Sequence, residues 1–144
     1  MIIKILPVQI PQLWETIKFA FNQSGEINKE DMPFYFNELL HALLSEKAQC
    51  WLRLNDDRNI MALMITRVLV DKFTNVKSLF IQSLYSWQGI EDKEWQNDFR
   101  FLKEFAIHNQ CKHISFDSKN PRIWEVAGLV AFKETTRKFI REVN

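Results

Sequence analysis

Along the chain, the spacing of apolar residues switches between a period of two and a period near 3.6, and each switch marks an element. The opening IIKILP alternates as a short strand, and Pro11 sits near the start of QLWETIKFAFNQSG. There Leu13, Trp14, Ile17 and Phe21, with Phe19 and Ala20 beside them, make a broad apolar helical face that Gly25 is expected to end. Asn28–Asp31 is placed to cap a second helix from about Met32 through YFNELLHALLSEK, with Phe36, Leu39, Leu40, Leu43 and Leu44 on one side.

The period then drops to two. AQCWLRLN sets Cys50, Leu52 and Leu54 against Trp51, Arg53 and Asn55, and the turn DDRN leads to IMALMITRVLVD. After KFTNV comes KSLFIQSLYSW, so the middle third predicts three antiparallel strands joined by short turns. A long helix is expected from Asp92 to Gln110, with Trp95, Phe99, Leu102, Phe105 and Ala106 on one face. KHISFD predicts a short strand, NPRIWEVAGLV a helix starting after Asn120 with Pro121 in its first turn, and FKETTRKFIREV a final strand or strand pair. The resulting order, β-α-α-β-β-β-α-β-α-β, describes one α/β domain over residues 1–144. Its mixed sheet is antiparallel early and has crossover helices late. An edge position is open to a strand such as IMALMITRVLV, which leaves the oligomeric state undecided.

Composition narrows the chemistry. The 144 residues are 47% hydrophobic, enough for one substantial core, and 19 basic against 18 acidic residues give a net charge of +1. There is no global basic field, so neither nucleic acid nor a membrane surface is expected as a partner. Cys50 and Cys111 lie outside any CxxC spacing and predict reduced, buried thiols. A lysine and two prolines interrupt the short apolar start, which argues against an export signal and for the cytoplasm. Only three glycines occur beside twelve Phe and five Trp, and tryptophans of that number are expected mostly in the core.

The element order resembles the GNAT superfamily of acetyl-coenzyme A-dependent N-acetyltransferases over nearly the whole chain. The local match is at the back, where the superfamily often reads N-x-x-A-x-x-x-Y-x-x-x-G-F. Asn120 is followed at those spacings by Ile123, Ala127, Ala131 and Phe132. The resemblance puts Ala127 where a tyrosine often protonates the leaving thiolate, and Ala131 where glycine stands. FLKEFAIHNQCKHISF, then IWEV and AF, looks like small GNAT-like proteins encoded by bacteriophages. They share a helix, a cysteine before the strand and a tryptophan in the next helix. That likeness implies a noncatalytic protein working through protein contacts, as a virion or accessory component in the host cell. The alternative is an acetyl-CoA-dependent N-acetyltransferase.

The stretch SWQGIEDKEWQNDF bears on that choice. A strand running through a glycine into a helix start is the shape of a phosphate site, because the first helical N–H groups are unpaired and the dipole is positive there. The superfamily's pyrophosphate loop reads Q/R-x-x-G-x-G/A. Gln88 heads it, but Glu91 and Lys93 occupy the small-residue positions. Glu91, Asp92, Glu94 and Asp98 would gather near a multiply charged anion, each costing on the order of a kcal/mol. The expectation is helix capping with no bound cofactor. If acetyl-CoA is used, Gln88, Gly89 and Ile90 would supply backbone donors, with Asn120 nearby and water or Glu38 as base.

Other constellations are thinner. His108, Cys111 and His113 cross a helix end and lack a fourth ligand, so no metal is expected. Glu38 and Glu46, eight apart, and His41 between them suit a solvated helix face, and no G-x-S-x-G turn activates a serine. Phe34, Tyr35 and Phe36 open an aromatic-rich helix and are the candidate protein interface.

Overall fold

A computed structural model describes residues 1–24 and 28–143. The elements run β1 (Ile2–Lys4), a 3₁₀ turn (Pro7–Gln9), α1 (Ile10–Ser24), α2 (Met32–Leu44), β2 (Ala48–Leu54), β3 (Ile60–Val70), β4 (Lys77–Ser86), α3 (Asp92–His108), β5 (His113–Ser115) and α4 (Pro121–Leu129). The five strands form one mixed sheet in chain order, antiparallel from β1 to β4. β5 is parallel to β4, as the α3 crossover requires. β3 lies between β2 and β4, so IMALMITRVLV is a central strand and not the free edge its sequence suggested. Gly25, expected to end α1, falls outside the described residues. Asp31 precedes α2 without a side-chain cap bond, and Pro33 in the first turn sets the helix start instead.

The alternation in β2 divides the protein into layers. Ala48, Cys50 and Leu52 face a core built with Ile10, Ile17, Ala20 and Phe21 of α1 and Leu39 and Leu43 of α2. Trp51 faces the other way, with Ile2, Met64 and Leu102, under α3. Cys50 is buried, and desolvation pushes its thiol up to about 12, an inert group. Cys111 is only half-buried. Trp51 alone of the five tryptophans is fully buried. Trp87 and Trp124 are exposed, against the sequence expectation.

Polar side chains on the α3 face are tied to one another. Trp51 Nε1 donates to Thr66 Oγ1 at 2.9 Å, and Thr66 Oγ1 donates to Gln49 Oε1 at 2.9 Å. Arg53, 8% exposed, donates to Asp98 of α3 at 2.5 Å and pairs with Glu94 one turn earlier at 3.0 Å. Burial raises the Asp98 carboxyl above its ordinary 3.8, and the hydrogen bond and charge of Arg53 pull it partly back.

The expected final strand is absent. Residues 133–143 have no regular structure, and Phe139, Ile140 and Val143 stand almost fully in solvent. Alternation alone does not make a strand, because the ladder needs a template, and β5 offers three residues. Glu46, expected on α2 with Glu38, lies past its end in a left-handed conformation (φ 63°).

The ion pair gives a testable consequence. Arg53→Met should destabilise by about 3 kcal/mol, because it strands a buried carboxylate, whereas Arg53→Met with Asp98→Leu should recover most of that loss. Urea unfolding of both variants checks this. The native state also holds the Asp98 proton more tightly than the unfolded chain does. Wild type should therefore lose stability relative to Asp98→Asn as pH rises from below 3.8 through the raised value, and level off above it.

Candidate active site

Pairing between β4 and β5 covers three positions, Ser78 with His113, Leu79 with Ile114 and Phe80 with Ser115. Beyond Phe80 the chain leaves β5 as the loop Phe116–Asn120, while β4 runs on to Ser86 paired only with β3. The β3 register shifts from Ile65–Ser83 to Thr66–Ile81, so Gln82 is an extra residue bulging from β4 at this point. A cavity of about 150 Å³ lies in the resulting gap. Ile81–Leu84 form one wall, and Trp95, Phe99 and Leu102 of α3 another. Phe116 and Ser118 of the loop and Ile123, Val126 and Ala127 of α4 close it. An open strand edge beside an apolar cavity leaves peptide groups whose hydrogen bonds only a ligand or water can complete.

The two helix starts meet at one side of this gap. Asn120 caps α4, accepting the Arg122 N–H at 3.0 Å, and Arg122 reaches across to Asp92 in the first turn of α3 at 3.4 Å. Glu91 caps α3, and its N–H donates to Glu94 Oε2 at 3.2 Å. Three of the four acids that argued against an anion are therefore paired with arginines, and Glu91 is left exposed at the start of α3. Glu94 and Asp98 turn inward to Arg53, and Asp92 pairs with Arg122. Only spacing was visible in the sequence, and spacing did not show that Arg53 lies under these acids.

Gln88 and Gly89 are exposed and Ile90 is buried in the loop before α3. The Gln88 carbonyl accepts a hydrogen bond from Ser86 Oγ. Gly89 has no positive φ, and a Cβ built there meets nothing within 4 Å, so space in front of the loop is open. Glu38 is exposed on α2 and is not among the residues that line the cavity. His108 ends α3 and His113 begins β5, both exposed. Among the described residues no three His, Cys, Asp or Glu side chains cluster as metal ligands. Phe34 and Tyr35 are exposed and pack edge to face at 6.2 Å, whereas Phe36 turns into the core against Trp14 and Phe21. Ser83 and Ser118, which the sequence offers without a partner that spacing alone identifies, both line the cavity.

No family model and no curated protein matches the chain. Solved structures do. A predicted acetyltransferase with acetyl-CoA from Clostridium acetobutylicum superposes with a TM-score of 0.75 at 13% identity, covering 99% of this chain and 96% of that one. An aminoglycoside 6'-N-acetyltransferase from Acinetobacter haemolyticus gives 0.70 at 13% identity, over 100% and 99%. AAC(6')-Iy, in complex with the bisubstrate analogue CoA-S-monomethyl-acetylneamine, gives 0.68 at 12% identity, over 100% and 97%. At such identities the likeness is one of fold, and the fold is that of the GNAT acetyltransferases. No helix among the described residues is long and apolar enough to cross a membrane.

The motif frame carries one strained residue. Ala131, at the superfamily's glycine position, has φ 65°, and the Phe132 N–H closes back on the Ala127 carbonyl at 2.9 Å. A left-handed residue after a helix is where glycine avoids the Cβ clash. Ala131→Gly should raise stability by about 1 kcal/mol, a gain of about 2–4 °C in Tm for a domain of this size, measured by thermal unfolding.

Proposed function

We propose that the protein binds an acyl-coenzyme A at the open edge of β4 and transfers the acyl group to an amine. The observation that carries this reading is the end of the β4–β5 ladder at Phe80 and Ser115, with an apolar cavity in the gap. The residues suit the group. The β4 edge offers free peptide donors and acceptors from Ile81 onward, the cavity is mostly apolar, and Asp92, Glu94 and Asp98 are paired with Arg122 and Arg53. The solved structures that share the fold include acetyltransferases with acetyl-CoA or a CoA analogue bound. Bound acetyl-CoA supplies a thioester carbonyl open to attack by an amine.

The chain's part is to orient and to shield. Gln88, Gly89 and Ile90 lead into the α3 N-terminus, where unpaired N–H groups and the dipole favour phosphate oxygens. Trp95, Phe99, Leu102 and Val126 exclude water from the reacting end and so strengthen every polar contact made there. Ala127 lines the cavity with a methyl, so no phenol donates a proton from that position. Ser118 lines the cavity instead, and because its Oγ accepts the Asn120 N–H at 3.1 Å, its own O–H remains free to hydrogen-bond a developing thiolate. Positioning supplies most of the rate in this scheme.

Exposed Phe34 and Tyr35 and the methyl at Ala127 favour a second reading, a noncatalytic GNAT-like protein that binds other proteins as a phage virion or accessory component. One titration separates them. Calorimetry with acetyl-CoA at low ionic strength should show micromolar binding, weakened at least about tenfold, or about 1.4 kcal/mol, by Ala127→Trp, which fills the cavity. No heat at millimolar ligand would mean that the fold has kept its frame without its cofactor, and the second reading would replace the first.

A further inference from the structure

The face of β4 turned toward α1 carries a second feature. Ser83 and Tyr85 share that face, as their pairing with Ile65 and Leu63 of the α1-side core requires. The Trp87 N–H donates to the Met61 carbonyl at 2.8 Å, so the ladder geometry runs one residue past the strand and keeps Trp87 in the same row. Successive members of this row stand about 7 Å apart. Phe19 of α1 packs on the outer two. Its ring lies 5.8 Å from Tyr85 at 85° and 6.2 Å from Trp87 at 19°, and Tyr85 meets Trp87 at 4.9 Å and 86°.

Tyr85 packs against the core, and the two rings flanking it are left open. Phe19 is 46% and Trp87 37% exposed. The inner end of the row joins the cavity, because Ser83 and Ser24, the last residue of α1, both line it. Ser83 is 9% exposed, and among the described residues its hydroxyl has no hydrogen-bond partner. That hydroxyl opens on the cavity, so it is free to donate to or accept from a polar group held there. Charge distinguishes the row from other rings of the protein. Lys18 lies over Trp14 and Phe36, Lys4 over Phe105 and Arg67 over Phe80, whereas among the described residues no cation lies over Phe19, Tyr85 or Trp87. The Glu15–Lys18 pair stands one turn before Phe19 on α1, with the Lys18 ammonium turned over Trp14 and Phe36.

We infer that the row Ser83–Tyr85–Trp87 with Phe19 is the acceptor subsite, and that it takes an amine carried on an aromatic ring. The inference rests on the acyl-transfer reading and deepens it. The ring stacks on the exposed faces of Phe19 and Trp87, and the amine points inward to the Ser83 hydroxyl at the cavity. A polycationic amino sugar finds no carboxylate in the row to select it.

The test is direct binding, followed by tryptophan fluorescence, of two probes: phenethylamine and the aminoglycoside neamine. Phenethylamine should bind more tightly than neamine, and Phe19→Leu and Trp87→Leu, which keep apolar bulk, should each weaken it at least about fivefold. Circular dichroism confirms that both variants fold. Calorimetry follows phenethylamine in Trp87→Leu, where the reporting ring is gone. Tighter binding of neamine, or variants that bind phenethylamine as the wild type does, would overturn the assignment. Acetyl-CoA bound without phenethylamine would sink this subsite and leave acyl transfer standing. Phenethylamine bound without acetyl-CoA would keep the ring site and sink acyl transfer.

Discussion

Three residue pairs hold β5 beside β4, and the place where that ladder stops governs the rest of the structure. A strand edge inside a protein cannot be left without partners, because each unpaired buried peptide group costs about as much as a lost hydrogen bond. Here the edge from Ile81 onward faces a cavity closed by α3, the Phe116–Asn120 loop and α4. The bulge at Gln82 falls in the same stretch and re-aims the strand as the gap opens. The cavity is thus built into the topology, and it suits a group able to hydrogen-bond along a strand while burying an apolar end.

The buried Arg53 makes that arrangement compatible with an anion. Its guanidinium draws Asp98 and Glu94 toward the sheet, and Arg122 holds Asp92 at the junction of the two helix starts. Without these partners, the acids of the first turns would oppose any phosphate brought to the α3 N-terminus. The pair is not gratuitously stabilising, since desolvation pushes Asp98 up even against the charge of Arg53. Its value is positional. It anchors α3 across β2 and so sets one wall of the cavity.

Much of the frame was legible as a sequence. The two faces of β2, the three-strand meander, the long amphipathic α3 and the start of α4 at Asn120–Pro121 follow from local periodicity and capping, which need no knowledge of distant residues. What was not legible depended on partners far along the chain. Arg53 and Asp98 are 45 residues apart, so a count of acids near the glycine loop could not show that they were already paired. The segment after Phe132 alternates like a strand, yet β5 gives it only three residues to pair with. Trp87 had the composition of a core residue and lies in an exposed row, because the strand ends just before it. In the candidate site, Gln88, Gly89, Ile90 and Asn120 could be picked out by motif spacing. Ser83 and Ser118 carry no local signature, and only the gap between strands shows them.

The most direct test of the account is amide hydrogen exchange across the chain with and without acetyl-CoA, because it reads the β4 edge itself. Protection should rise at Ile81–Ser86, with a second zone in the loop before α3 and at Phe116–Asn120. Unchanged exchange along β4 with the ligand at saturating concentration, or protection confined to the α2 face around Phe34 and Tyr35, would contradict it.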